Sequence, residues 1–488
     1  MFFDPKTVTP DGGLYINGKR VSGAETRKVA SPSDPTIGFA ASWASEDQVD
    51  QAVMSARRAW KESGWGTMPP RERAKILYRF ADLVDEHAAE IARLEAIVSA
   101  RIYSEATARD VTVISGTLRF FGEFADKVEG IVTATPRESL SMVVHEPYGV
   151  VAAIAPWNFP VILAAWKFAP ALAAGNAVVL KPSELTPFAT LRLAELAVEA
   201  GVPAGVFNII NGDGKTGAAL VKHPEVDYVT FTGSSATGAR IMADSAMSGL
   251  KPVSLELGGK GPQLVFADAP DLGKLAQVVA RGITYNSGQV CFAGSRLVVE
   301  RSIADRFVGL VADAMKGLRP GQTWSKDTGI PPIISQAQIG RIESIVSDSI
   351  AGGAEAMIGG ARIDRDDALF FQPTVLRGVT PENRAYREEI FGPVLAVQEF
   401  DDFDEGIALA NHPDYGLTAS IHTSDITRAF KAARRIESGT VWLNDWGRRT
   451  DLTAPFGGYK RSGLGKDMGR AGYEKYLKSK AIWLEIGD

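Results

Sequence analysis

The first stretch of the chain with a clear period is ASEDQVDQAVMSARRAW, residues 44–60. There Val49, Ala52, Val53, Ala56 and Trp60 fall on one face at helical spacing. Ser45, followed three residues later by Gln48, forms the capping-box pattern that starts such a helix. PPRERAKILYRFADLVDEHAAEIARLEAIVSA, residues 69–100, opens on prolines, which a first helical turn tolerates, and carries Leu77, Phe80, Ala81 and Val84 at the same spacing. The first third of the chain therefore reads mostly as surface helices that cover something else.

From about Val150 the pattern changes. Short apolar runs (VVAAIA, AVVLK, VFNII, YVTFTG, VSLEL and QLVF) are separated by helical segments. Runs of that length without polar alternation suit strands buried on both faces. Strands alternating with helices imply right-handed βαβ units and a parallel sheet with helices on both sides. Ligands in such sheets bind beyond the carboxyl ends of the strands. The alternation resumes with RLVVE, a helix around Ser302 to Leu318, and the runs PVLAVQEF, TASIHT and TVWLN. The expected fold class is α/β, with two Rossmann-like doubly wound parallel-sheet units whose boundary lies near Gly258 to Pro262.

Composition narrows the function. A chain of 488 residues exceeds what one hydrophobic core usually serves. Its 53 basic and 58 acidic residues are interspersed, and a net charge of −5 argues against a nucleic-acid or anionic-membrane footprint. The most apolar stretch, VILAAWKFAPALAAGNAVVL, is interrupted by Lys167, Pro170, Gly175 and Asn176, so no membrane span is expected. MFFDPKTVTPDGG lacks the basic and apolar regions of a signal peptide. A single cysteine cannot form an intramolecular disulfide, and a reducing, cytoplasmic location is expected.

That cysteine, Cys291, stands in NSGQVCFAGSR, among glycine, serine and glutamine. A partly exposed thiol near backbone N–H groups would have a lowered pKa and act as a nucleophile; an inert leftover thiol is the other reading. Two glycine patterns could cradle a pyrophosphate: Gly212, Gly214 and Gly217 in NGDGKTG, and Gly233, Ser234 and Gly238 in YVTFTGSSATG. Spacing does not choose between them. None of the five histidines stands in a glycine-rich turn, and no two have metal-ligand spacing, so no metal is expected and a nonhistidine acid or base is the better guess.

PWNFP, KPSE, FTGS, LELGGK, GQVC, EEIFGPV and PFGGYKRSGLG span Pro156 to Gly465 in order. In order and separation they resemble the motifs of the aldehyde dehydrogenase superfamily. The resemblance implies that Cys291 attacks an aldehyde carbonyl. It implies that the Asn158 amide and the Cys291 backbone N–H hold the oxyanion, and that Glu256 activates water to release a carboxylic acid. Lys181 and Glu184 would contact the adenosine ribose, which favours NAD over NADP. Trp157, Gly233, Ser234, Gly238, Leu257, Glu389 and Phe391 would complete the cofactor site, which reduces NGDGKTG to a supporting turn.

Phe159, Trp166, Tyr285, Phe292, Trp446 and Phe456 match positions around the substrate tunnel. They suit an aromatic, apolar or trimethylammonium aldehyde. Arg448 and Arg449 keep open a carboxylated semialdehyde, and a non-redox cysteine esterase or hydrolase is a further alternative. The family architecture implies a cofactor-binding domain of residues 1–127 and 147–258 and a catalytic domain of residues 259–465. Residues 128–146 and 466–488 would form an oligomerisation arm and tail that join a homodimer or homotetramer. SARIYSEA, in place of the usual glycine-lysine-proline segment, and the charged loop NDWGRRTDLTAP depart from the family pattern.

Overall fold

The computed structural model describes residues 1–363, 368–447 and 451–486. Five of the apolar runs lie side by side as parallel strands: Phe207–Ile209, Ala177–Lys181, Val150–Ile154, Tyr228–Thr232 and Val253–Glu256. The order runs outward in both directions from Val150–Ile154, the first of them in sequence. The gap between that strand and Tyr228–Thr232 is therefore the switch point, where crossovers leave to opposite sides and a crevice opens at the carboxyl ends. Antiparallel strands close the edges, Leu14–Ile16 with Lys19–Val21 on one side and Gly463–Leu464 on the other.

The second sheet starts from Pro262–Val265. Arg296–Glu300, Val394–Phe400 and Thr374–Arg377 follow on one side, Thr418–His422 and Thr440–Leu443 on the other, all parallel, with Glu355–Ile358 antiparallel at one edge. The expected α/β class with two doubly wound sheets is what the chain adopts. The runs without alternation are buried throughout, as double-faced coverage requires.

The first third differs from its helical reading. Four strands precede the helix Glu46–Glu62, two of them forming a hairpin through Asn17 (φ 54°) and Gly18 (φ 75°). Both turn residues are left-handed, the signature of the tight hairpin turn whose twist matches its strands. The two hairpin strands, of three residues each, are too short to show a period, and the six-residue strands Glu25–Ala30 and Gly38–Trp43 bury only one residue apiece, so neither carries an apolar run. The capping box forms as expected, Ser45 Oγ accepting from the Gln48 N–H and the Gln48 side chain accepting from the Ser45 N–H. The long helical pattern of residues 69–100 breaks at His87 into Pro70–Glu86 and Ala88–Val98, which lets its two apolar faces pack in different directions.

A third, antiparallel sheet joins Ile131–Thr133, Ser139–Pro147 and the C-terminal Leu477–Glu485, the last two aligned from end to end. Its apolar residues include several exposed ones, Val132 at 70% and Trp483 at 61% among them.

Candidate active site

The carboxyl end of Val150–Ile154 leads through Pro156, Trp157 and Asn158 into the helix Pro160–Ala173, whose first-turn proline needs no N–H partner. Asn158 is buried, and its Nδ2 donates to the Gln289 carbonyl at 3.0 Å. Asn286 Nδ2 donates to the Asn158 carbonyl, also at 3.0 Å. Two asparagines thus tie the start of this helix to the loop that carries Cys291. Each amide nitrogen has two donors, so Asn158 keeps a second N–H beyond the one given to Gln289.

That loop is held against its own preference. Asn286, Ser287 and Gly288 are left-handed in succession, with φ of 50°, 54° and 72°. Non-glycine residues there cost roughly 1–2 kcal/mol each. Gln289 pins the turn: its Nε2 donates to the carbonyls of Asn286 (3.0 Å) and Pro332 (3.1 Å), and its Oε1 accepts the Ile334 N–H at 2.9 Å. Ser287 Oγ donates to the Pro331 carbonyl. A Cβ at Gly288 would lie 2.1 Å from the Gly392 carbonyl oxygen, so only glycine fits.

Cys291 is half-buried, and its thiol pKa is not lowered as the polar sequence suggested. Burial pushes it up, and the carboxylates of Glu389 and Glu256 push it further. The backbone N–H groups of Phe292 and Cys291 act in the opposite sense but do not prevail.

Glu256 ends Val253–Glu256, the outermost of the five parallel strands, next to the edge strand Gly463–Leu464. It is buried, and neither carboxylate oxygen has a hydrogen-bond partner among the described residues. Burial, then Asp467, raises its carboxyl well above the usual range, against the pull of Lys475, Lys167 and Lys466. Lys167 is itself fully buried, 3.7 Å from Asp467, and its amine is lowered to about 8, mainly by burial. The sequence reading noticed Lys167 only as an interruption of an apolar stretch; a lone lysine inside such a helix is the signal it left unused.

A cleft of about 510 Å³ opens at the switch point, walled by Trp157, Gly233, Ser234, Leu257, Glu389 and Phe391, with Asn158 and Cys291 also in its wall. Ser234 caps the helix Ser235–Met247, whose N-terminus faces this crevice. Gly238, inside that helix, leaves room for Leu257; a Cβ there would stand 2.6 Å from Leu257 Cδ2. Glu389 Oε1 accepts the Gly259 N–H at 2.8 Å, and burial raises its carboxyl to about 7. The Phe391 ring meets Trp157 edge-on at 5.3 Å. Lys181 and Glu184, paired at 3.6 Å, follow the neighbouring strand and stand outside the cleft wall. In NGDGKTG, Asp213 caps the helix Gly214–Lys222.

On the other side of Cys291 lies a second cavity, about 260 Å³, walled largely by Phe159, Ile162, Trp166, Phe292 and Phe456. Tyr285 and Trp446 do not line it. Tyr285 lies behind Phe159, ring centroids 5.9 Å apart, and Trp446 behind Phe292 at 5.7 Å with its Nε1 donating to the Phe292 carbonyl. The family resemblance put both around the substrate tunnel, but it carries no information on depth. Arg109 and Asp451 are in the wall and were missed, because neither belongs to a recognisable motif. Arg448 and Arg449 fall outside the described residues.

Two cavities, one of mixed lining at a nucleotide-type switch point and one largely apolar, therefore meet at one sulfur. The profile of the Aldehyde dehydrogenase family matches residues 20–482. The chain is 39% identical over 476 residues to the NADP/NAD-dependent aldehyde dehydrogenase PuuC of Escherichia coli K12, covering 97% of this chain and 95% of that one. It is 38% identical over 488 residues to the cytosolic 10-formyltetrahydrofolate dehydrogenase of Xenopus tropicalis, where 98% of this chain spans 54% of the relative, about half its length. Among solved structures, an indole-3-acetaldehyde dehydrogenase complexed with NAD+ superimposes with a TM-score of 0.96 at 40% identity, over 99% of this chain and 98% of that one. The chain belongs to the aldehyde dehydrogenase family and is an oxidoreductase that acts on aldehydes.

Proposed function

We propose that the protein oxidises an aldehyde to its carboxylic acid through an acyl group carried on Cys291, with NAD as the cofactor. The observation that carries this reading is the meeting of the two cavities at Cys291, with Asn158 beside it and a buried Glu256, without a partner among the described residues, close enough to perturb its thiol. NAD, when bound, supplies the hydride acceptor. Trp157, Gly233, Ser234, Leu257, Glu389 and Phe391 would hold it, Gly238 keeping Leu257 in place. Lys181 and Glu184 would meet its adenosine ribose, where a carboxylate disfavours an added 2′-phosphate.

The Cys291 thiol gives up its proton to solvent water as its sulfur adds to the carbonyl carbon, and the carbonyl oxygen takes the negative charge. The second Asn158 N–H and the Cys291 backbone N–H are the donors for it, fixed in advance by the Asn158–Gln289 and Asn286–Asn158 bonds. One such donor is typically worth ~3 kcal/mol of barrier. After oxidation the acyl group is a thioester on Cys291. Glu256, ionised, takes a proton from water as the water oxygen attacks, and the thiolate leaves. A carboxyl raised above its usual range is a stronger base near neutrality than an ordinary one.

The apolar cavity suits an aldehyde with an aryl or apolar body. A cysteine esterase without redox would use the same sulfur but has no need of the switch-point cleft. The exposed apolar residues of the three-stranded sheet would be covered by a second copy of the chain, in a dimer or tetramer. A thiol that must stay reduced suits the cytoplasm. None of the described helices is long and apolar enough to cross a membrane.

The test is Cys291→Ala assayed with aliphatic and aromatic aldehydes. The expected result is loss of NADH formation with NAD binding retained; steady-state activity in that variant overturns the reading.

A further inference from the structure

We propose that Arg461 binds the pyrophosphate of the cofactor, its guanidinium exchanging a weak contact with Asp414 for the diphosphate bridge when the dinucleotide enters the cleft. This rests on the proposed reading of the switch-point cleft as the NAD site.

Arg461 stands in PFGGYKRSGLG, where the chain crosses back from the second sheet to the edge of the first. Leu464 and Gly463 pair with Leu255 and Glu256, and the Leu257 N–H donates to the Ser462 carbonyl at 2.9 Å. Ser462 Oγ accepts the Gly416 N–H at 3.0 Å, two residues ahead of the strand Thr418–His422. Arg461 is therefore held at the seam of the two sheets. Its own N–H donates to the Asp414 carbonyl, and its carbonyl accepts the Ser235 hydroxyl, both at 2.9 Å. The second bond joins residues 226 apart in sequence and sets Arg461 beside the first residue of the helix Ser235–Met247.

That helix start has donors to spare. Ser234 Oγ accepts the Thr237 N–H at 3.2 Å, whereas no described residue accepts those of Ser235 and Ala236, and both residues line the cleft. Thr232, in the same wall, is only 6% exposed, and its hydroxyl has no partner among the described residues. Spare N–H groups at a helix start, with the helix dipole behind them, favour an anion. Among the described residues the wall adds two cations, Arg341 and Arg461, and one carboxylate, Glu389. Arg341 is engaged: its Nη2 donates to Glu388 Oε2 and to the Glu389 carbonyl, both at 3.0 Å. Arg461 is held loosely. Its side chain is 67% exposed, and its one polar partner among the described residues is Asp414 Oδ1, at 3.4 Å and itself exposed. A long, exposed ion pair of this kind contributes little. A pyrophosphate offers two negative charges and oxygens that a guanidinium meets with parallel bonds, so the exchange is favourable.

The experiment measures Kd for NAD, NADP, ADP-ribose and adenosine by quenching of tryptophan fluorescence in wild type, Arg461→Met and Arg461→Lys. In Arg461→Met the Kd values of NAD and ADP-ribose, which carry the pyrophosphate, rise about tenfold, the scale of one charge-assisted bond. The Kd of adenosine, which has no phosphate, stays at the wild-type value and shows that the variant is folded. Arg461→Lys keeps the charge without the planar fork and recovers part of the loss. Added salt weakens ADP-ribose binding less steeply in Arg461→Met than in wild type. An unchanged Kd for ADP-ribose in Arg461→Met overturns the proposal. So does an equal loss for adenosine, the mark of a merely structural residue, or a loss confined to NADP, the mark of a contact with its 2′-phosphate. Wild type that binds neither NAD nor ADP-ribose instead overturns the reading of the cleft as the cofactor site.

Discussion

Replacing Glu256 by glutamine keeps the shape of a buried side chain and removes its ability to take a proton. Because neither Glu256 oxygen is bonded to a described residue, no described partner is orphaned by the change. In the proposed mechanism the Cys291 thiol proton passes to solvent water and hydride loss needs no base, whereas hydrolysis of the thioester draws on Glu256. General-base assistance is worth about 10²–10⁴ in rate, so steady-state turnover should fall by that factor. In a stopped-flow experiment with excess aldehyde and NAD, the variant should release a burst of NADH close to one per site and then continue slowly. The wild type carries a pH signature as well. Its carboxyl is raised above the usual range by burial and Asp467, so the base form grows as pH rises. A kcat limited by hydrolysis therefore rises in wild type at a pH above the usual carboxylate range, and this rise is lost in Glu256→Gln. Glu256 is also one of the two carboxylates that push the Cys291 thiol up. Once the pH is high enough to ionise Glu256 in wild type, the variant's thiol should be alkylated faster than the wild type's by iodoacetamide. Turnover at the wild-type rate without a burst would refute the assignment.

Asn158→Ala removes an oxyanion donor and leaves the Gln289 carbonyl without its 3.0 Å partner. The expected kcat loss is about 10²–10³ with a smaller change in KM, accompanied by a lower melting temperature. Gly238→Ala sets a methyl 2.6 Å from Leu257 Cδ2 and drives Leu257 into the cofactor cleft. The KM for NAD should rise about tenfold with kcat nearly kept, because overpacking of this kind costs ~1–3 kcal/mol.

Where the sequence pattern succeeded and where it failed has a consistent physical cause. Strands buried on both faces leave unbroken apolar runs, so Val150–Ile154, Ala177–Lys181 and Tyr228–Thr232 were legible, and so was the parallel sheet they form. The Ser45–Gln48 capping box was legible because its partners are three residues apart. The hairpin at Asn17–Gly18 was passed over, although Asn-Gly is the strongest local sign of such a turn. Cys291, Glu256 and Asn158 were found through the motifs around them, since a site's backbone demands leave glycines and prolines at set spacings.

What the sequence by itself determined was the α/β class, and it singled out the residues proposed to bring chemistry to the site; both depend on short-range patterns. The direction of the Cys291 thiol shift, the lack of a described partner for Glu256 and the retreat of Tyr285 and Trp446 behind the cavity wall were decided only by tertiary structure. Desolvation and depth are properties of what surrounds a group, and those neighbours, such as Tyr285 at 176 residues from Arg109, come from distant parts of the chain.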